Sequence, residues 1–182
     1  MRRGLLALLI VLSVTAFDPG CLAAQSKAVS GRAVGEMTPS FPVLNATGPH
    51  KGKLACYVCE SQGAPVVFAF FRQTGDETAS LVKKLNELAQ KQNLRVVAVI
   101  MEGQDSLPWL EKFADENGIT MPLTVLPNGK DDVAVKLYKL DSTVSNTILV
   151  SAKRKVTANL VNLNAQNFGM LTAAVSRVLS QK

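Results

Sequence analysis

The chain has 182 residues, with 20 Lys and Arg against 14 Asp and Glu, and a formal net charge of +6 at pH 7. This length holds one domain, or one domain preceded by a leader. The basic residues are scattered and no aromatic residues are interleaved with them, which argues against a nucleic-acid-binding face. The sequence has no phosphate-binding glycine loop, and its single histidine, His50, completes no Ser/His/Asp set. We therefore expect no cofactor.

Residues 1–24 have the features of a signal peptide. Arg2-Arg3 forms a basic start, and Gly4 to Phe17 is an apolar run too short to cross a bilayer comfortably. Small residues then allow cleavage before Gln25. We predict an exported protein, periplasmic or extracellular, with no membrane span in its mature chain.

Two alternatives stay open for this leader, an uncleaved membrane anchor and a lipoprotein signal that modifies Cys21. After cleavage, residues 25–36 are small and polar with two glycines, and we expect a flexible tether. The remaining residues, 37–182, form the predicted domain.

A hairpin is predicted at the start of this domain, from Phe41–Leu44 and Lys53–Val58. The central strand follows at Val66–Phe71, where every residue is apolar. A short run rich in β-branched and aromatic residues is typical of a strand that is buried on both faces.

The first long helix is predicted from Gly75 to Gln92. Thr74 and Glu77 have the spacing of a capping box, in which each side chain bonds the other's backbone N–H. An apolar stripe at helical spacing predicts the buried face. It consists of Leu81, Leu85, Leu88 and Ala89. A second buried strand, Leu94–Met101, completes a βαβ unit with a parallel pair.

The second half of the chain continues the alternation of helices and strands. Asp105 or Ser106 is predicted to cap the start of a second helix, which ends at Gly118, a residue typical of helix C-termini. The further predicted elements are a strand at Leu123–Leu126, a helix at Asp131–Leu140, a hairpin of Thr147–Ser151 with Lys155–Val161, and a last helix at Asn167–Leu179. The pattern predicts one α/β domain with a central mixed sheet flanked by helices.

The order of these elements resembles the thioredoxin-like superfamily, and within it the peroxiredoxin-like (AhpC/TSA, redoxin) and exported thiol–disulfide oxidoreductase branch. Residues 34–41, VGEMTPSF, resemble the opening "VGxxxPxF" of that branch. Lys51-Gly52-Lys53, ahead of the central strand, adds to this similarity. Ile148-Leu149-Val150, followed by Lys155-Val156, resembles its late hairpin. The resemblance implies a thioredoxin-like fold and a protein thiol or disulfide as partner.

The resemblance also implies two active-site elements that this sequence lacks. The family places its reactive cysteine directly after the central strand, where a helix N-terminus stabilises a thiolate. The corresponding residues here, Arg72 to Thr78, contain no cysteine, and Asp76 and Glu77 oppose an anion. The family's cis-proline corresponds to a position near Ser145, where no proline occurs.

The candidate catalytic residues are Cys56 and Cys59, a C-x-x-C pair and the only cysteines after residue 24. An oxidising compartment permits a disulfide between them. Three interpretations remain open: a redox-active dithiol, a structural disulfide in a non-catalytic binding protein, and a metal site with His50. The last has three soft ligands where a structural zinc site needs four, and we expect no metal.

The topology also predicts where the pair lies. The family's site is at the carboxyl end of the central strand, beside Arg72 to Thr78. Cys56 and Cys59 are linked to the opposite, amino end through Glu60 to Ala64, a link of at most roughly 17 Å. Unless the predicted strand Lys53–Val58 carries the cysteines back along the sheet, we expect the two sulfurs to be within disulfide reach of each other and well separated from Thr74 and Thr78.

Overall fold

The computed structural model describes residues 29–180. The predicted signal peptide, 1–24, and Cys21 lie outside the described residues. In chain order the elements are β1 (Val43–Asn45), β2 (Leu54–Ala55), α1 (Tyr57–Ser61), β3 (Val66–Phe71), α2 (Asp76–Gln92), β4 (Arg95–Ile100), α3 (Leu107–Asn117), β5 (Leu123–Val125), α4 (Val133–Leu137), β6 (Asn146–Ala152), β7 (Lys155–Val161) and α5 (Gly169–Leu179). Within residues 29–180, no helix combines the length and apolar character needed to cross a membrane.

All seven strands form one mixed sheet in the order β2-β1-β5-β4-β3-β6-β7. β3 is parallel to β4, and β4 is parallel to β5, while the other neighbouring strands are antiparallel. The predicted βαβ unit, the hairpin of β6 and β7, and the α/β fold class are confirmed. The carboxyl ends of the three parallel strands share one edge of the sheet, which we call the carboxyl edge. The opposite edge is the amino edge.

β3 is buried along its whole length, as predicted, and its side chains supply two hydrophobic clusters. Val67, Ala69 and Phe71 belong to the cluster that α2, α3 and α5 cover. Phe68 and Phe70 belong to the cluster on the other face, which includes residues of α1 and α4. Side chains on a strand alternate between faces, so one apolar run serves both layers.

The predicted capping box at the start of α2 is wrong. The N-cap residue is Gly75, with φ of 134°, and no side chain caps the helix. The N–H of Thr74 donates instead to Oε2 of Glu102 at 2.7 Å. A carboxylate from the loop after β4 thus binds the turn that Thr74 was predicted to cap. α3 likewise begins without a side-chain cap from Ser106.

Residues 29–36, the described part of the predicted tether, pack against the domain. Ser30 is buried, and its hydroxyl lies 2.6 Å from that of Thr147 on β6. The N–H of Gly31 donates to the carbonyl of Lys139 at 2.9 Å. Small polar residues predicted mobility, but here their size allows the chain to lie closely on β6.

Asn86 on α2 is the basis of a first stability prediction. Its buried side-chain oxygen accepts the N–H of Thr120 at 3.0 Å and of Met121 at 3.1 Å. Asn86→Ala leaves both N–H groups without this acceptor, and we expect it to lower the free energy of unfolding by about 1–3 kcal/mol. Urea denaturation measures the change. Asn117→Ala is the control, because that amide bonds only the Phe113 carbonyl of its own helix. Equal effects would contradict the role of Asn86.

Candidate functional site

The two candidate cysteines lie on a helical turn, not on a strand. The predicted strand Lys53–Val58 is correct only for β2, Leu54–Ala55, after which the chain turns into α1. Cys56 is the N-cap residue of α1, and its Sγ accepts the N–H of Cys59 at 3.3 Å. Residues three apart in a strand are about 10 Å apart, whereas one helical turn brings them together.

Cys56 and Cys59 form a disulfide, with their Cα atoms 5.3 Å apart. The prediction that the sulfurs lie within disulfide reach is confirmed. Cys59 is exposed, whereas Cys56 is half-buried against the cluster that contains Phe68 and Phe70. Of the two residues, Cys59 is therefore the more accessible to solvent.

The two residues between the cysteines anchor α1 in the core. Tyr57 and Val58 are 2% and 1% exposed. The Tyr57 hydroxyl donates to Oδ1 of Asn45 on β1 at 2.6 Å, and the Arg95 guanidinium lies 5.9 Å from the centre of the Tyr57 ring. Sequence reasoning did not identify these contacts, because they join three segments that are distant in sequence.

Glu60 links α1 to two further elements. One carboxylate oxygen lies 2.9 Å from Nε2 of His50, in the turn between β1 and β2, and the other lies 3.6 Å from Nη1 of Arg95 on β4. His50 is thus paired with a carboxylate, while the cysteine sulfurs are bonded to each other. The alternative metal site is therefore not assembled in this structure, and no group of three His, Cys, Asp or Glu suited to a metal occurs within 29–180.

The contacts of α1 place it at the amino edge. Arg95, which pairs with Glu60, is the first residue of β4 and is in register with Val66, the first residue of β3. Thr74 and Thr78 follow the other end of β3, whose six residues extend roughly 17 Å. The disulfide therefore lies at the sheet edge away from the family's site, as predicted.

The carboxyl edge carries an open cleft of about 1020 Å³ between the loops that follow β3, β4 and β5. Arg72, Glu102 and Trp109 are among its lining residues. The N–H of Arg72 donates to the carbonyl of Ser145, at the family's cis-proline position, and no cis peptide bond occurs within 29–180. The cleft exists, but none of its lining residues is a cysteine.

Burial of Tyr57 gives a prediction on pH. Desolvation, with the nearby Glu60 carboxylate, raises the pKa of Tyr57 to about 12 from its ordinary value near 10. The unfolded chain then ionises first, so this contribution to stability is complete below pH 10 and is lost as the pH rises through 12. We expect the urea concentration at the midpoint of unfolding to decrease as the pH rises from 10 to 12. Tyr57→Phe should flatten this decline, and an unchanged slope in the variant would contradict the assignment to Tyr57.

Tyr138 contributes in the same direction. It is fully buried, its hydroxyl donates to the Pro39 carbonyl at 2.7 Å, and desolvation raises its pKa. Part of the alkaline loss of stability should therefore remain in Tyr57→Phe and disappear in the double variant with Tyr138→Phe.

Comparison with known proteins identifies solved structures only. No family model and no curated protein sequence matches the chain. A protein from Chlorobium tepidum assigned as the thiol:disulfide interchange protein DsbE is 16% identical, with a TM-score of 0.67 over 81% of this chain and 98% of that one. Peroxidoxin BcpB from Mycobacterium tuberculosis is 18% identical, with a TM-score of 0.61 over 82% and 97%.

A third structure is the thioredoxin domain of a thiol-disulfide oxidoreductase from Bacteroides vulgatus. It is 13% identical, with a TM-score of 0.60 over 79% of this chain and 99% of that one. The structural similarity establishes the fold, whereas sequence identities this low leave the activity open. The chain therefore has the thioredoxin-like fold, and its disulfide lies at the amino edge of the sheet, opposite the carboxyl edge.

Proposed function

We propose that this chain is an exported thioredoxin-like protein that exchanges disulfides with protein thiols through Cys56 and Cys59. The observation that carries the proposal is the disulfide between Cys56 and Cys59, which have C-x-x-C spacing. Cys59 is the exposed residue of the pair. The similarity to thiol–disulfide proteins of the same fold agrees with it. Export rests on the leader predicted for residues 1–24.

In the reductive half of the exchange, a thiolate of a partner dithiol attacks Sγ of Cys59. A partner–Cys59 bond forms, and the Cys56–Cys59 bond breaks with its electron pair moving to the Cys56 sulfur. The resulting thiolate accepts the N–H of Cys59, which already points at this sulfur. The partner's second thiolate then attacks the partner sulfur of the mixed disulfide. This attack releases reduced Cys59 and leaves the partner oxidised, with a disulfide of its own.

The charges around Cys59 bear on this step. A free carboxylate at Glu60 would oppose a thiolate next to it. Glu60 is paired instead with Arg95, and with His50 when the imidazole is protonated. The pairing with Arg95 on β4 offsets the negative charge of the Glu60 carboxylate.

The proposal is tested by reduction of insulin with dithiothreitol as electron donor. The chain beginning at Gln25 should accelerate insulin precipitation, and the variant with both Cys56→Ser and Cys59→Ser should not. Trp109→Phe is a matched control, since that residue lies at the carboxyl edge. Equal activity of the chain and its double serine variant would contradict the proposal.

A non-catalytic binding protein with a structural disulfide is the second candidate. The observation in its favour is the anchoring of α1 through Tyr57 and Val58, which are buried between the two cysteines. In that case the disulfide fixes a short helix to the amino edge. The two candidates differ in one measurable property, the reduction potential of the disulfide.

A further inference from the structure

An apolar groove of about 1090 Å³ lies between β7 and α5, and we call it the β7–α5 groove. Ala158 on β7 and Ala173 and Ala174 on α5 line it, and their small side chains leave the space open. Met170 and Val34 at its margins are 57% and 65% exposed. Apolar side chains so exposed around a groove are typical of a binding surface.

β7 is the last strand of the sheet. Residues 29–36 bond the backbone of its beginning, and farther along the strand they accept only from the side-chain Nδ2 of Asn159, at the carbonyls of Ser30 and Arg32. The N–H of Val156 donates to the Glu36 carbonyl at 2.9 Å, and the Val156 carbonyl accepts the N–H of Gly35 at 2.8 Å. The N–H of Asn162 donates inward to Asn146 on β6. By the alternation of an antiparallel ladder, the backbone groups of Asn159 and Val161 point outward.

Within residues 29–180, no backbone or side-chain group bonds these outward N–H and carbonyl groups of Asn159 and Val161. An unpaired strand edge is a template for a further strand. The edge lies directly beside the apolar groove. An extended peptide could therefore bond β7 through its backbone and place alternate side chains against Ala158 and Ala173.

The positive charge of the residues that line the groove favours an acidic partner. Lys153, Lys155 and Arg177 line it, and no Asp or Glu is among its lining residues. From Ser142 to Lys182 the sequence has five basic residues and no acidic one. A second copy of this chain would bring the same basic residues against each other, whereas acidic residues of another chain are attracted to them.

We propose that the β7–α5 groove binds an extended peptide segment with alternating apolar side chains and acidic flanks, which adds a strand to β7. The backbone of the peptide pairs with Asn159 and Val161, its apolar side chains enter the groove, and its acidic residues lie against Lys153, Lys155 and Arg177. This binding does not depend on the disulfide. It should persist when Cys56 and Cys59 are both replaced by serine, so the two proposals fail separately.

Fluorescence anisotropy with two labelled heptapeptides tests the proposal. The probe is Glu-Val-Thr-Leu-Glu-Val-Asp, and the control peptide carries Lys at its three acidic positions. The full 182-residue chain should bind the acidic peptide, and Lys153→Glu with Lys155→Glu should weaken binding about tenfold. Lys130→Glu with Lys136→Glu, an equal change of charge at two residues that do not line the groove, should leave binding unchanged.

Two further variants separate strand addition from charge attraction. Val161→Pro removes an outward N–H and no bond of the β6–β7 ladder, and Ala173→Trp fills the groove without changing charge. Circular dichroism verifies the fold of each, and at least one folded variant should bind the acidic peptide more weakly. Full binding by both folded variants would overturn the proposal.

Other occupants would also overturn it. Equal binding of the basic peptide would show that the groove does not select charge. A dimer in sedimentation that Val161→Pro dissociates would assign the edge to a second copy. Binding by a chain that begins at Gln25, but not by the full chain, would assign the groove to the protein's own N-terminal segment.

Discussion

Replacing Cys59 by serine is expected to lower the rate of insulin reduction to the background rate. Cys59 is exposed and Cys56 is half-buried, so the proposed exchange enters through the sulfur of Cys59. Without it, a partner thiolate has no accessible disulfide to attack. The rate of insulin precipitation with dithiothreitol measures the loss.

Cys56→Ser is the matched variant, and its expected behaviour differs. It keeps the exposed nucleophile of Cys59 but lacks the residue that resolves a mixed disulfide. We expect it to be inactive in turnover and to accumulate a covalent complex with a partner disulfide, visible on a non-reducing gel. A covalent complex formed by Cys59→Ser instead would contradict the assigned order of the two residues.

Phe70→Ala is expected to lower the free energy of unfolding by about 3–5 kcal/mol. Phe70 is fully buried in the central strand, and its ring centre lies 5.7 Å from that of Phe41 and 4.9 Å from that of Tyr138. The substitution opens a cavity in the cluster that also receives Val58 of α1. A loss this large is a substantial part of a typical domain stability of about 5–15 kcal/mol.

Urea denaturation with matched substitutions checks this estimate. Phe70→Leu keeps most of the apolar volume and should cost less than about half as much. Val133→Ala, at a residue 62% exposed, should change the stability by no more than about 0.5 kcal/mol. A cost of Phe70→Ala similar to that of Val133→Ala would contradict the central role of this cluster.

The fold could be predicted where hydrophobic patterns are long. Val66–Phe71 is apolar at every position, and the sheet does bury both of its faces. The stripe through Leu81, Leu85 and Leu88 likewise faces the core. These patterns depend on the core as a whole, so no single contact can overturn them.

The local structure of the site could not be predicted in the same way. Lys53–Val58 is a short, mostly apolar run that is compatible with a strand, and the sequence alone does not reveal that Tyr57 reaches Asn45 and lies near Arg95. These long-range contacts, with the disulfide, favour one helical turn over an extended chain. The Thr74 capping box failed for a similar reason, because Glu102 binds the N–H of Thr74 from another loop.

The position of the disulfide was predictable because it depends on connectivity. The link from Cys59 enters β3 at its amino end, and Ser61 and Gly63 within it indicate a turn rather than an extended chain, so the pair is expected at that edge. The sequence could not show that Cys59 is the exposed member of the pair. That difference arises from the packing of α1 on the sheet.

The reduction potential of the Cys56–Cys59 disulfide tests the central claim most directly. The chain beginning at Gln25 is equilibrated in glutathione and dithiothreitol redox buffers, and the free thiols are alkylated and counted by mass spectrometry. Exchange with protein thiols predicts a potential between about −270 and −120 mV, the range of dedicated thiol–disulfide proteins. A potential below about −300 mV, typical of structural disulfides, would contradict it.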